Sequence, residues 1–339
     1  MELAEVYNSA REKMKGYCRV CPVCNGVACR GEVPGMGGAG RGASFEANLA
    51  AWSKYQLEMR TIHQAKDPNT ELELFGQKLT TPIIKAPVTG STYNMGGSLR
   101  EEEYANIVVG ASKEFGTIAM TGDGADPTMY NSGLEAISEF GGFGIPIIKP
   151  REQKEIIRRI QLAEEVGAQA VGVDIDGAGL ITMALKGQPV GPKTKEELEE
   201  IVNSTELPFI LKGVMTLDEA RLAAEIGIDT IVVSNHGGRV LDSTPGTADV
   251  LPEIVSEVGD RINILVDGGI RSGVDVLKAL ALGADAVLLA RPLIIAAFGG
   301  EKEGFKMVLD KITIELKKAM ILTGCNSIAD IDGNILRKV

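Results

Sequence analysis

His236 is one of two histidines in 339 residues, and it stands in the stretch "SNHGGR" (234–239). A β-branched run, Ile231-Val232-Val233, leads into it, a glycine pair follows, and Arg239 lies three residues on. A histidine titrates close to neutrality and can take a proton from a substrate. An arginine beside it presents a planar fork that suits a carboxylate. His63, by contrast, has no motif around it and reads as ordinary surface or packing.

A second constellation lies in "VDGGIRSG" (266–273) and "LLARP" (288–292). Asp267 ends an apolar run, Gly268 and Gly269 allow close backbone approach to a ligand, and Arg271 and Arg291 supply cations. Two successive loops of this kind, the second opening a short helix at Ala290-Arg291, suit a phosphate. The glycines could instead make nothing more than tight turns. Lys212, in "LKGV" (211–214), is a third candidate, and its position alone leaves a phosphate ligand or a Schiff-base former open.

The third is a cysteine cluster, "CRVCPVCNGVAC". Cys18, Cys21, Cys24 and Cys29 have the spacing C-x2-C-x2-C-x4-C. Its start matches the bacterial ferredoxin run, but the last gap is one residue longer and the proline is missing. Four soft ligands so placed suit a [4Fe–4S] cluster, a zinc ion or a redox disulfide pair.

These residues need elements to bring them together. From about residue 80, short apolar runs alternate with amphipathic helical stretches. The runs cover 81–87, 116–121, 144–150, 169–175, 207–213, 229–234, 262–267 and 284–290. Apolar runs without alternation indicate strands buried on both faces, as in a parallel sheet. Helices such as 151–167 and 216–227 supply the crossovers. Thr216 and Glu219 are spaced as a capping box. Eight such units predict a (β/α)₈ TIM barrel, with a doubly wound open sheet as the alternative. In a barrel the strand ends converge, here carrying Thr89, Thr121, Lys149, Asp174, Asp176, Lys212, Ser234, His236, Asp267 and Arg291. Residues 1–45 form a cysteine-rich extension with a glycine-rich loop, and 46–339 the barrel with a closing helix over 302–325.

Composition narrows the function. The net charge of −11 argues against non-specific nucleic-acid binding. No apolar run approaches the roughly 20 residues of a spanning helix. The first 18 residues lack the apolar core of a signal peptide, so a cytoplasmic protein is expected.

"SNHGGRVLD", with "LKGV" before it and "DGGIRSG…KALALGA…ARP" after it, resembles the FMN-dependent α-hydroxy acid oxidase/dehydrogenase family, which includes glycolate oxidase, lactate oxidase and flavocytochrome b2. The likeness runs from Gly37 onward, through "GGAGRGASFEANLAAW", "FGQKLTTPIIKAPVTG" and "GCNSIADI". It implies an FMN protein that oxidises an (S)-2-hydroxy acid to a 2-oxo acid. His236 would be the base, Arg239 the carboxylate clamp and Asp176 the carboxylate that supports the histidine. Lys212 would lie at the flavin N1–C2 edge, where a fixed cation favours the reduced ring. Ala86, Pro87, Thr89, Thr121 and Ser234 would contact the flavin. Asp267, Gly268, Gly269, Arg271 and Arg291 would hold ribityl and phosphate. Ala290 replaces a family glycine, a change that a backbone N–H contact survives. Family precedent implies a tetramer or larger. The electron acceptor is open, although an iron–sulfur cluster near the mouth would make a dehydrogenase of it.

Departures from the pattern concern the substrate. Two family tyrosines fall near Pro34 and Arg151, and the loop after the fourth strand lacks the family's second arginine. Lys149, Arg151, Lys186 and Lys193 could replace it, although each also reads as a solvated surface charge. The alternatives are an FMN-dependent isomerase of the type 2 isopentenyl diphosphate isomerase kind and a non-catalytic flavin or cysteine redox sensor. Intact His236 and Arg239 weigh against both.

Overall fold

A computed structural model describes residues 1–339, the Ile181 side chain apart. Its centre is an eight-stranded parallel barrel. The strands are Ile83–Lys85, Met120–Thr121, Ile145–Ile148, Val171–Asp174, Phe209–Val214, Thr230–Val233, Asn263–Val266 and Ala286–Leu289. The eighth pairs back to the first, and the Lys85–Ala119 bridge closes the gap between the first and second. The barrel reading therefore holds, and the open sheet does not.

Side-chain alternation explains the unbroken apolar runs. Ile84, Met120, Ile147, Ile210, Val232, Leu265 and Leu288 belong to one buried cluster inside the barrel. Their neighbours Ile83, Ile148, Leu211, Ile231, Val233, Ile264, Val266, Val287 and Leu289 join the second cluster, shared with the helices. Both faces of each strand are thus apolar, as a barrel wrapped in helices requires. A hairpin of Leu72–Leu74 and Gln77–Leu79 adds Leu74 and Leu79 to the interior cluster. Polar side chains are left to the other end.

Residues 1–45 pack onto the barrel. Helix Leu3–Lys13 buries Val6 and Ala10 against the closing helix. A Cβ at Gly299 would lie 2.1 Å from the Val6 carbonyl oxygen, so glycine there sets how closely the helices approach. The closing helix, Arg291–Thr323, is two helices broken at Gly300 and Glu301. Helix Ala43–Ser53 follows the glycine loop, and its chain continues into a strand, Tyr55–Leu57, paired with Leu336–Lys338.

One capping expectation fails. The Thr216 side chain makes no cap bond to backbone; its hydroxyl donates to the Glu219 carboxylate at 3.1 Å instead. Among the described residues no helix is long and apolar enough to cross a membrane.

Candidate active site

The sixth strand ends in a turn that holds His236 in an uncommon conformation. His236, Gly237 and Gly238 have φ of 58°, 62° and 76°. Left-handed backbone is costly for a histidine and persists only where its surroundings fix it. Here Asn235 fixes it, accepting from Gly238 N at 3.1 Å and exchanging amide bonds with Asn48. A Cβ at Gly238 would lie 2.5 Å from Phe45 N, so the second glycine is obligatory. Asp242 ties the same loop to the glycine-rich segment, accepting from Arg41 N at 2.7 Å and Ser44 N at 3.1 Å.

His236 Nδ1 lies 2.9 Å from Asp176 Oδ1 and 3.5 Å from Asp174 Oδ1. A carboxylate on Nδ1 assigns the proton there and leaves Nε2 as the basic nitrogen. Asp174 is the hub of the site. It accepts from Lys212 Nζ at 2.9 Å and from Lys149 Nζ. Burial pushes its carboxyl up, but the Lys149 and Lys212 charges outweigh that and hold it well below the ordinary range. Burial and the neighbouring Asp174 charge push Asp176 up. Lys212 is raised: burial opposes its charge, and Asp174 and Asp176 more than compensate. Asp174, Asp176 and His236 have the spacing of a metal triad. Two ammonium groups already neutralise Asp174, which disfavours a further cation there.

Gly213, at φ 103° within the fifth strand, lets the Asp176 loop come close; a Cβ there would meet Asp176 N at 2.8 Å. Gly268 and Gly269 line the cavity, and on their other side the missing side chains make room for Asn48 and Trp52. Trp52 Nε1 donates to Gly268 O at 2.7 Å, which fastens the seventh-strand loop to helix Ala43–Ser53.

The cavity at the strand ends is lined by Ala86, Pro87, Thr89, Lys212, His236, Arg239, Asp267, Gly268, Gly269, Arg271, Ala290 and Arg291. Thr121, Ser234 and Asp176 do not line it. Ser234 is buried and its Oγ accepts from His236 N at 3.1 Å. Three arginines converge here without a carboxylate partner among the described residues. Arg291 gives its Nε to Met36 O at 2.9 Å and stacks 4.0 Å from the Phe45 ring centre. Burial, then the charges of Arg271 and Arg239, push the Arg291 guanidinium below its ordinary value. Arg239 donates Nη1 to Gly35 O and Gly37 O and Nη2 to Asn94 Oδ1.

Three buried polar atoms of the expected cofactor residues have no partner among the described residues: Thr121 Oγ1, Asp267 Oδ1 and Arg271 Nη2. An unmet hydrogen bond in a buried site is costly, and a polyol phosphate in the cavity would satisfy Asp267 and Arg271, which line it. The residues therefore fit a flavin mononucleotide.

The proposed replacements for lost substrate groups separate. Lys149 and Lys186 line the cavity, whereas Arg151 and Lys193 do not. Arg151 is 4% exposed and is spent on Asp123, with Nε at 2.8 Å. Lys149 is 8% exposed, so neither is the solvated charge expected. Lys193 pairs with Glu197 at 3.9 Å. Neither lost tyrosine is replaced in kind. Val33 and Met36 stand on the N-terminal side and Lys149 at the third strand, while Tyr93 comes from the loop after the first. Leu180 and Met183 complete an apolar wall.

The chain was compared with known proteins. A family model described as "FMN-dependent dehydrogenase" matches residues 35–186 and 182–338. A 2-hydroxyacid oxidase of Dictyostelium discoideum is 33% identical, over 85% of this chain and 81% of its own. A 4-hydroxymandelate oxidase of Amycolatopsis orientalis is 31% identical, over 89% and 93%. A solved structure of mandelate oxidase superposes with a TM-score of 0.81 at 29% identity, covering 99% of this chain and 97% of the other.

Proposed function

The chain belongs to the FMN-dependent dehydrogenase family, an oxidoreductase acting on CH–OH, and from that premise we propose that it oxidises an (S)-2-hydroxy acid with an apolar side chain to the 2-oxo acid. The observation that carries this reading is His236, fixed through Nδ1 by Asp176 at the mouth that Arg239 and Lys212 also line.

FMN would be held by Asp267, Arg271 and Arg291 and would supply the acceptor for two electrons and the Cα hydrogen. The chain does the rest. Arg239 has Nε–H and one Nη2 hydrogen outside its bonds to Gly35, Gly37 and Asn94, enough for a side-on bidentate grip on a carboxylate. Lys149 gives a second cation where the family has a tyrosine, and we assign it the remaining carboxylate contact. His236 Nε2 takes the hydroxyl proton, and Asp176 steadies the imidazolium that forms. Lys212, kept charged by Asp174, would face the flavin edge where negative charge grows on reduction. Val33, Met36, Leu180 and Met183 would receive the substrate side chain and exclude water.

The test is an anaerobic spectrum of the flavin-loaded protein titrated with a panel of (S)-2-hydroxy acids. Bleaching by acids with apolar side chains, and its loss in His236→Gln, is the expected result. Flavin that no hydroxy acid bleaches would overturn the reading and leave the isomerase or the sensor.

A further inference from the structure

We infer that Cys18, Cys21, Cys24 and Cys29 bind a [4Fe–4S] cluster beside the barrel mouth, a site that the hydroxy-acid chemistry leaves unused.

The four thiols gather although they are unbonded. All are free and half-buried. Cys18 lies within electrostatic reach of the other three, and Cys29 within reach of Cys21 and Cys24. Their separation weighs against a single zinc ion. Among the described residues, the one set of three such ligand atoms mutually within 4.8 Å is Asp174, Asp176 and His236. A single zinc ion holds each sulfur at about 2.3 Å, which brings four sulfurs to about 4 Å from one another. Cysteines that converge but stay wider than that suit a polynuclear cluster, in which each sulfur bonds a different iron.

The loop has little regular structure of its own, although Val20 reaches the core and Arg19 pairs with Glu32. Its regular structure is one short turn, Val27–Cys29. Val23 is 70% exposed and Val27 47%, so no local apolar core forms around them. Val20, a β-branched residue, is held at φ 46°, a strained conformation, while its N–H points to Cys18 Sγ at 3.4 Å. Exposed valines and a strained backbone oppose folding of this segment. Four metal–sulfur bonds would outweigh them, since metal binding to such a loop is folding free energy.

The setting also suits the charge. A cluster carried by four thiolates is an anion. Arg291 is within electrostatic reach of Cys24 and Cys29, and Arg271 Nε donates to Cys24 O at 3.4 Å. Both arginines line the cavity, so one side chain separates the loop from the flavin site.

The full chain would be produced with added iron, purified without oxygen and assayed for iron, acid-labile sulfide and FMN. About four irons and about four sulfides per chain, with an electron paramagnetic signal after dithionite reduction, are expected. Cys21→Ser with Cys24→Ser should drop iron below one per chain while FMN content stays constant, which separates cluster loss from misfolding. If that variant does not fold, the wild-type assay decides alone. Stoichiometric zinc without sulfide, disulfides in the anaerobic protein, or no metal at all would each overturn the proposal. None of these outcomes alters flavin bleaching by hydroxy acids, so the two readings fail separately.

Discussion

The side-chain amides of Asn48 and Asn235 bond each other in both directions, Nδ2 to Oδ1 at 2.8 Å and 3.1 Å, across 187 residues of sequence. Asn48 lies on helix Ala43–Ser53, and Asn235 immediately precedes the strained His236. Asn48 Oδ1 also accepts from Thr247 N at 3.1 Å. The pair therefore joins the base-bearing turn to the helix that also fastens Gly268. Asn48→Ala leaves the Thr247 N–H without a partner and removes both bonds to Asn235, which keeps its bonds to Gly238, Thr244 and Pro245, at a cost of about 1–3 kcal/mol. We expect a lower Tm together with a lower kcat, because the turn at His236 relaxes. A Tm loss with kcat unchanged would show that the pair supports the fold and does not position the base.

Asp174 and Asp176 should separate by what their loss does. Asp174→Asn leaves two buried ammonium groups short of a countercharge, and breaking a buried pair costs about 3–5 kcal/mol. Asp176→Asn removes the group that sets the imidazole tautomer, with an expected fall in kcat of about 100-fold or more. Urea denaturation beside steady-state kinetics tests this. The assignment fails if Asp176→Asn leaves kcat intact, or if Asp174→Asn matches wild-type stability.

Lys149 is the test of how this site manages without the family's tyrosine. A charged hydrogen bond contributes about 1.5–3 kcal/mol. Lys149→Met should therefore raise KM for the hydroxy acid by about 10–100-fold, with kcat changed less. Flavin binding should persist, since Lys212 keeps its bond to Asp174. An unchanged KM would remove Lys149 from substrate binding.

Much of this was legible in the sequence because it is local. The eight strands announce themselves because both of their faces are apolar, and His236, Arg239 and Lys212 sit in short motifs at strand ends. The relationships that tune the site are not local. Asp174 and Asp176 both leave the same strand, and nothing in the sequence says that the first would gather Lys149 and Lys212. Arg151 reads from the sequence as a solvated charge or a substrate group, and neither reading shows that Asp123, 28 residues earlier, claims it. Gly268 and Gly269 read as ligand glycines, and nothing in the sequence says that Asn48 and Trp52, more than 200 residues away, also need the space beside them.

Lys85 gives a prediction about stability and pH. It is 0% exposed on the outward face of the first strand. Its Nζ donates to the Ala86 carbonyl and lies 5.6 Å from the centre of the Tyr104 ring. Burial pushes it down to about 7, and Glu101 offsets only part of that. Above pH 7 the unfolded chain still holds a proton that the folded protein has released. Stability therefore rises with pH across this window, and the penalty is greatest at and below pH 7. Between pH 7 and 8.5, before thiols titrate, the rise should approach about 2 kcal/mol, because each unit is worth about 1.4 kcal/mol. Lys85→Met should be more stable than wild type at pH 7 and should flatten the curve over the same range. Urea unfolding at several pH values measures both. A wild-type curve that is already flat, or a methionine variant less stable at pH 7, would mean that Lys85 is buried in its charged form at no cost.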